Sequence, residues 1–302
     1  PHDGAGFPGD DIIGTRIRAR ARARVRTRIR IRDDDTIGTS PHDGAGSPDG
    51  AGGGWVVMPC EASRGGVVDW GASSVMGLRR RTNQDRYLRQ GTTFAVADGM
   101  GGLSGGSEAS SAVVELVTRR VAAFSCGAPL TKWESMARTV NREARERIRG
   151  LGLADAGCTL TLAAVEPDRV VVAHVGDSRL YDYEQGTGEL SQRTSDHNLL
   201  SELQARGKSL RHAAEKGLPL AGLVSYVGMP DDELRIEVFS WSPAPQTRLL
   251  LCSDGVHGCL GRSEIAEVLA TFPARDAAVE FTERADAAGG RDNATAVVVD
   301  LL

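Results

Sequence analysis

The stretch Phe94-Ala95-Val96-Ala97-Asp98-Gly99-Met100-Gly101-Gly102 organises the rest of this chain. The apolar run 93–97 reads as a buried strand, and it delivers one carboxylate, Asp98, into a turn of glycines. With no Cβ in the way, backbone in that turn can approach a ligand closely. Three later turns repeat the arrangement: Val175-Gly176-Asp177-Ser178-Arg179, Cys252-Ser253-Asp254-Gly255 and Gly290-Arg291-Asp292-Asn293. Each lies at the end or the start of an apolar run, so the four carboxylates fall at strand edges of what reads as one sheet system. Such a set suits a hard cation.

Before the run, residues 67–70 and 74–76 read as opening strands, followed by Gly77-Leu78-Arg79-Arg80-Arg81-Thr82-Asn83-Gln84-Asp85, a polar segment dense in cations. After it, residues 107–124 are predicted as an amphipathic helix with Val113, Val114, Leu116, Val117 and Val121 on its inner face. A second helix carries a stripe of Trp133, Met136, Val140, Ala144 and Ile148. Thr131 with Glu134 three residues on reads as its capping box, and Gly150 as its end. The period then changes to that of strands, at 158–165, 169–175 and 179–183. Residues 194–232 are polar and weakly periodic, which predicts an irregular, largely helical insertion. Strands resume at 234–239 and 247–252, two helices start near 263 and 274, and 294–302 is the last strand. Antiparallel-type strands with helices in separate blocks predict an α+β layered sandwich rather than a βαβ repeat.

The composition is that of a globular protein: 302 residues, 40% hydrophobic and 25% charged. A formal net charge of -4 gives no argument for nucleic acid or membrane as a partner of the whole. No apolar run approaches the roughly 20 residues of a membrane span, and the first residues carry no signal-peptide hydrophobic region. The five cysteines, Cys60, Cys126, Cys158, Cys252 and Cys259, include no C-x-x-C pair and read as buried thiols of a reducing compartment. The expected location is cytoplasmic. Residues 1–54 differ in kind from the folded part expected over 55–302. Pro1-His2-Asp3-Gly4-Ala5-Gly6 recurs at 41–46, and every second residue from Arg16 to Arg32 is arginine. Too little apolar surface is present there to offset the ordering entropy, so a low-complexity, disordered arm is expected. As a strand it would line its guanidiniums on one face, where only a polyanion such as nucleic acid would order it. A solvated tail is the plainer reading, since Asp10, Asp11, Asp33, Asp34 and Asp35 flank the run.

Oxygen ligands without clustered His or Cys select Mg²⁺ or Mn²⁺ over zinc. Four turn carboxylates exceed what one Mg²⁺ usually takes from protein, so two ions sharing a bridging aspartate is the economical reading. Two cations about 3.5–4 Å apart can generate a hydroxide at neutral pH and stabilise both oxygens of an in-line displacement on a phosphate ester. A phosphate dianion needs a cation of its own, and Arg79-Arg80-Arg81 offers a guanidinium fork for two of its oxygens.

Seven short motifs follow one another: Arg80-x-x-Asn83-Gln84-Asp85, Asp98-Gly99-Met100-Gly101-Gly102, Gly157-Cys158-Thr159, Gly176-Asp177-Ser178-Arg179, Thr194-x-Asp196-His197, Ser253-Asp254-Gly255 and Asp292-Asn293-x-Thr295. In them, from about Gly66 to the C-terminus, the chain resembles the metal-dependent protein serine/threonine phosphatases of type 2C, in their bacterial form. The resemblance implies a four-layer α-β-β-α sandwich of two mainly antiparallel sheets flanked by helices. It implies hydrolysis of phosphoserine and phosphothreonine with two Mn²⁺ or Mg²⁺ ions and a third, weaker one. Asp98 would bridge both ions and the Gly99 carbonyl complete the second, while Asp254 and Asp292 hold the first. Asp177 would hold the third ion with Asp254, Asp85 would steady ion-bound waters, and Arg80 would clamp the substrate phosphate. A hydroxide bridging the ions would attack phosphorus directly. The partners implied are phosphorylated proteins, substrates of a Ser/Thr kinase, and 194–232 would be the flap beside the active site.

Two residues depart from the family pattern. Gln84 stands where many relatives carry Glu, which removes a charge but keeps a hydrogen bond for a coordinated water. Met100 stands where eukaryotic members place a histidine proposed as general acid, so a metal-bound water or another residue must protonate the leaving group. His257 is a candidate by position alone, a structural role being the plainer reading. His174, alternating within an apolar strand, reads as a core histidine. Two rival readings are a fold that has lost turnover and only binds, and an arm that binds nucleic acid. The retained Asp98, Asp254, Asp292 and Arg80 argue against the first.

Overall fold

The computed structural model describes residues 36–38, 67–102 and 105–302. One sheet places β1 (Thr36–Gly38), β3 (Arg86–Gln90), β4 (Thr93–Ala97), β7 (Leu160–Val165), β8 (Val170–Val175) and β11 (Glu237–Trp241) side by side in that order. The other runs β10 (Glu189–Gln192), β9 (Arg179–Glu184), β12 (Thr247–Cys252), β13 (Ala294–Leu301) and β2 (Val67–Val75). Every pairing in both is antiparallel. A separate short ribbon joins β5 (Gly99–Met100) to β6 (Gly157–Cys158).

The period of two sorts side chains between layers. In β4, Phe94 and Val96 enter the layer between the sheets, while Ala95 and Ala97 meet the helices; in β12, Leu249 and Leu251 point inward and Leu250 and Cys252 outward. Because both faces are covered, these strands are apolar at nearly every position. The outer face of the first sheet is closed by α1 (Gly105–Val121) and α2 (Leu130–Gly150), through Val113, Val117, Trp133, Val140 and Ile148. That of the second is closed by α6 (Arg262–Thr271) and α7 (Ala274–Ala287), through Ile265, Val268 and Phe281. The result is a four-layer α-β-β-α sandwich. Arg248 on β12 ties three elements together: Nη2 donates to Asp300 Oδ2 on β13 at 2.8 Å, and Nη1 donates to the Leu269 and Phe272 carbonyls, at 2.6 Å each. Those carbonyls end α6 and have no partner within the helix.

Several boundaries differ from expectation. The two opening strands are one, β2, and the strand expected at 234–239 lies at 237–241. The strand β10, not expected, forms because the turn after β9 folds residues 189–192 back onto it, pairing Leu190 with Tyr183. The capping box is absent: α2 starts at Leu130 with Pro129 as its N-cap, φ −66°, and no side-chain cap bond, so Thr131 already lies inside the first turn. The 194–232 insertion carries only α3 (Leu199–Ala205) and α4 (Leu210–Glu215), the rest being irregular. Thr36–Gly38, within the stretch expected to be unordered, forms an edge strand against β3; the remainder of that arm and Cys60 lie outside the described residues. Cys158 and Cys252 are buried, whereas Cys126, expected inside, is exposed in the turn after α1. Among the described residues no helix is long and apolar enough to cross a membrane.

Candidate metal centre

Strand β4 ends at Ala97, and the main chain of Asp98 is fixed from both sides by Thr159, the break between β6 and β7. Asp98 N donates to Thr159 Oγ1 at 2.9 Å, and Thr159 N donates to the Asp98 carbonyl at 2.8 Å. The next residue lies against the start of α1: a Cβ on Gly99 would fall 2.2 Å from the Gly106 carbonyl oxygen, so only glycine fits. Gly101, at φ +111°, turns the chain so that its carbonyl accepts from Gly106 N at 3.0 Å.

Asp85 lies deepest, at 1% exposure. Its Oδ2 accepts from Ser253 Oγ and Thr295 Oγ1, each at 2.7 Å. A directed chain feeds Thr295: Asn83 Nδ2 donates to Ser74 Oγ at 2.9 Å, and the Ser74 hydroxyl lies 2.8 Å from Thr295 Oγ1. Asp85 Oδ1 has no hydrogen-bond partner. Burial pushes this carboxyl up to about 6, against the pull of the two hydroxyls, and the charge of Asp254 adds to the rise.

Half-buried Asp98 lies near enough to Asp85 and Asp254 for their charges to act on it. Its carboxyl is raised well above the usual range, first by burial and then by the charges of Asp85, Asp254, Asp292 and Asp177. Asp254, the first residue of α5 (Asp254–His257), is raised by burial and then by Asp292, and its Oδ1 is also without a partner. Asp177 is pushed up to about 7 by burial, then by Asp254 and Asp196. Asp292 faces away from this group in one respect: its Oδ2 is paired with Arg80 Nη2. Carboxylates crowded in a poorly solvated pocket repel one another unless a cation joins them. Oxygen donors alone, two of them orphaned, fit Mg²⁺ or Mn²⁺.

Residues 79–296 match the family profile described as protein phosphatase 2C. The chain belongs to the protein phosphatase 2C family. It is 29% identical over 241 residues to the serine/threonine protein phosphatase PstP of Mycobacterium tuberculosis, across 78% of this chain and 45% of that relative. The chain thus spans less than half the length of that relative. Against the serine/threonine phosphatase stp of Listeria welshimeri it is 31% identical over 213 residues, 68% of this chain and 82% of the relative. Its fold superposes on the crystal structure of the PstP catalytic domain in complex with two manganese ions with a TM-score of 0.69 at 28% identity, covering 78% of this chain and 99% of that one.

In this phosphatase 2C chain several side chains take posts that the sequence did not announce. Ser253, at the N-cap position of α5, makes no cap bond; its hydroxyl serves Asp85 and accepts from Thr295 N at 3.0 Å. Thr159, Ser178 and Thr295 lie within the family motifs, yet nothing in the motifs told that they would tie the aspartate turns together; Thr159 Oγ1 lies 2.7 Å from Ser178 Oγ, beside Asp177. Gln84 Nε2 donates to the Gly102 carbonyl at 3.1 Å, and its own carbonyl receives Gly99 N at 3.2 Å and Ser110 Oγ at 2.6 Å, so this residue braces the Asp98 turn. His257 Nε2 donates to the Asp177 carbonyl at 2.9 Å, and burial pushes the ring down to about 4. It is a neutral strut of that turn.

Proposed function

We propose that this chain is a Mn²⁺- or Mg²⁺-dependent phosphatase that hydrolyses phosphoserine and phosphothreonine on cytoplasmic proteins, opposing a Ser/Thr kinase. The observation that carries the reading is the gathering of acidic charges around Asp98, with partnerless oxygens on Asp85 and Asp254. The names of the M. tuberculosis and L. welshimeri relatives support it. In this reading Asp98, the Gly99 carbonyl, Asp254 and Asp292 would hold two ions, and Asp177 with Asp254 would hold a third.

When bound, the ions supply a hydroxide nucleophile at neutral pH and offset charge on the attacking and leaving oxygens. The chain's own residues do the rest. Asp292, now paired with Arg80, would hold a cation in its place, and the exposed Arg80 guanidinium would then be free to grip two oxygens of the phosphate dianion. Asp85, oriented by Ser253 and Thr295 through Oδ2, keeps Oδ1 free as an acceptor for ordered water. Thr159 keeps the Asp98 main chain from swinging. Neutral His257, its N–H engaged by the Asp177 carbonyl, positions the turn and does not protonate the leaving group.

The test is turnover of a phosphothreonine peptide with Mn²⁺. Asp98→Ala and Asp254→Ala are each expected to abolish it while the circular dichroism spectrum stays that of the parent. Near-normal turnover by either folded variant would overturn these roles, and a parent chain inactive on p-nitrophenyl phosphate would favour a binding module instead.

A further inference from the structure

Across the pairing of β8 with β11, His174 stands opposite Glu237. His197, which leads into α3, places its ring 4.9 Å from that of His174. Ligand atoms of His174, His197 and Glu237 all lie within 4.8 Å of one another, the one such group of three or more His, Cys, Asp or Glu among the described residues.

His174 is 0% exposed, and the chain of three contacts through its ring has two protons to share. Thr161 Oγ1 donates to the Ser178 carbonyl at 3.0 Å and also lies 2.9 Å from His174 Nδ1. On the other side of the ring, Nε2 lies 3.0 Å from the Ser195 carbonyl. Carbonyls close both ends of this chain and can only accept. A neutral imidazole brings a single ring proton. With it on Nε2, the single Thr161 proton must serve both Nδ1 and the Ser178 carbonyl; with it on Nδ1, the Nε2 lone pair confronts the Ser195 oxygen. A second ring proton would complete the chain, but it would place an unpaired charge on a fully buried ring 4.9 Å from that of His197. A metal cation at Nε2, taking the place of the Ser195 carbonyl, completes it instead. Nδ1–H then donates to Thr161, which donates to Ser178, the kind of outer hydrogen bond that fixes the tautomer of a ligating histidine.

We propose that His174, His197 and Glu237 form a Zn²⁺ site, distinct from the aspartate centre, that fastens both ends of the 194–232 insertion to the first sheet. His197 comes from the start of the insertion and Glu237 from the strand just after its end, while His174 belongs to the sheet. Two imidazoles and a carboxylate are a zinc donor set, whereas Mg²⁺ takes oxygen. His197 Nδ1 accepts from Gly176 N at 3.2 Å, which leaves Nε2 for the ion. Glu237 now accepts from Ser195 N at 3.0 Å and from Ser195 Oγ at 3.4 Å, and exposed Ser195 is the piece that yields as the ion enters. Tetrahedral zinc with bonds of about 2.0–2.1 Å needs its ligand atoms about 3.4 Å apart, so the group closes by roughly an ångström and draws the insertion inward. The site does not depend on the aspartate centre being catalytic.

The experiment uses the full chain with saturating Mg²⁺ on the aspartates. Zn²⁺ is followed by calorimetry and Co²⁺ by its visible spectrum. One Zn²⁺ per chain, a tetrahedral Co²⁺ spectrum and slowed hydrogen exchange over 194–232 are expected. His197→Ala and Glu237→Gln should each weaken Zn²⁺ binding about tenfold or more with unchanged circular dichroism, and Asp98→Ala should not weaken it. No Zn²⁺ uptake, equal uptake by His197→Ala, or uptake lost in Asp98→Ala would overturn the proposal. So would nitrogen NMR showing His174 doubly protonated at neutral pH without metal.

Discussion

Asp85 shows how one buried carboxylate sets both chemistry and stability. Its folded carboxyl titrates near 6 against 3.8 in an open chain, so the folded state holds a proton that the unfolded state has already released. The stability this contributes is complete below about pH 3.8 and is lost as pH rises through about 6. Asp85→Asn keeps an acceptor for Ser253 and Thr295 but cannot ionise. In urea titrations without divalent ions, the two chains should match at the acid end and diverge as pH climbs, the asparagine chain becoming the more stable; parity at pH 7 would mean that the parent carboxylate is compensated. Arg80 makes a different forecast. Its pair with Asp292 is solvent-exposed, with side-chain exposures of 44% and 31%, so it adds little stability. Arg80→Ala should raise KM for a phosphopeptide by about tenfold or more and leave Mn²⁺ affinity unchanged or tighter, because Asp292 is released. A fall in Mn²⁺ affinity would count against the clamp.

At the scale of elements, the centre and the insertion share a frame. The ribbon of β5 and β6 carries Gly99 opposite Cys158, and Cys158 in turn exchanges backbone bonds with Val227, at 3.0 and 2.8 Å. Helix α2 reaches the same place through Asn141, which is fully buried; its Oδ1 accepts from Gly228 N at 2.8 Å and its Nδ2 donates to the Met229 carbonyl at 3.2 Å. A buried backbone group that loses its partner costs about 1–3 kcal/mol. Asn141→Ala should therefore loosen the end of the insertion while α2 keeps its apolar stripe. Hydrogen exchange should quicken over residues 220–232 with little change in helix content; unchanged exchange there would show that the bridge at Val227 suffices.

For the whole molecule, the layer between the sheets is the core that both sheets share. Phe94, Val172, Leu180, Leu249, Leu251, Val297 and Val299 have no exposed surface, and they come from both sheets. Leu251→Ala leaves a cavity in that layer and should cost about 2–5 kcal/mol, read as a lower urea midpoint in tryptophan fluorescence. Leu251 is also three residues before Asp254, so the folded fraction of this variant should retain turnover if the aspartate turns are held by their own hydrogen bonds. A variant that stays folded yet loses Mn²⁺ binding would place the centre under the control of the core.

The sequence by itself determined the layered antiparallel class and the position of the four turn aspartates at strand ends. Apolar runs buried on both faces and glycines at close backbone approaches are local properties, legible wherever they occur. It also misplaced what depends on distant partners: the N-cap of α2, the start of β11, and the existence of β10. Only the tertiary structure decided which hydroxyls hold Asp85, since Ser253 and Thr295 lie 168 and 210 positions away along the chain. The same holds for the pairing of Arg80 with Asp292 and for the approach of His197 and Glu237 to a histidine that reads, in its strand, as mere core. Side-chain hydrogen bonds between remote segments leave no periodic trace in a sequence, because their geometry exists only once the two sheets have met.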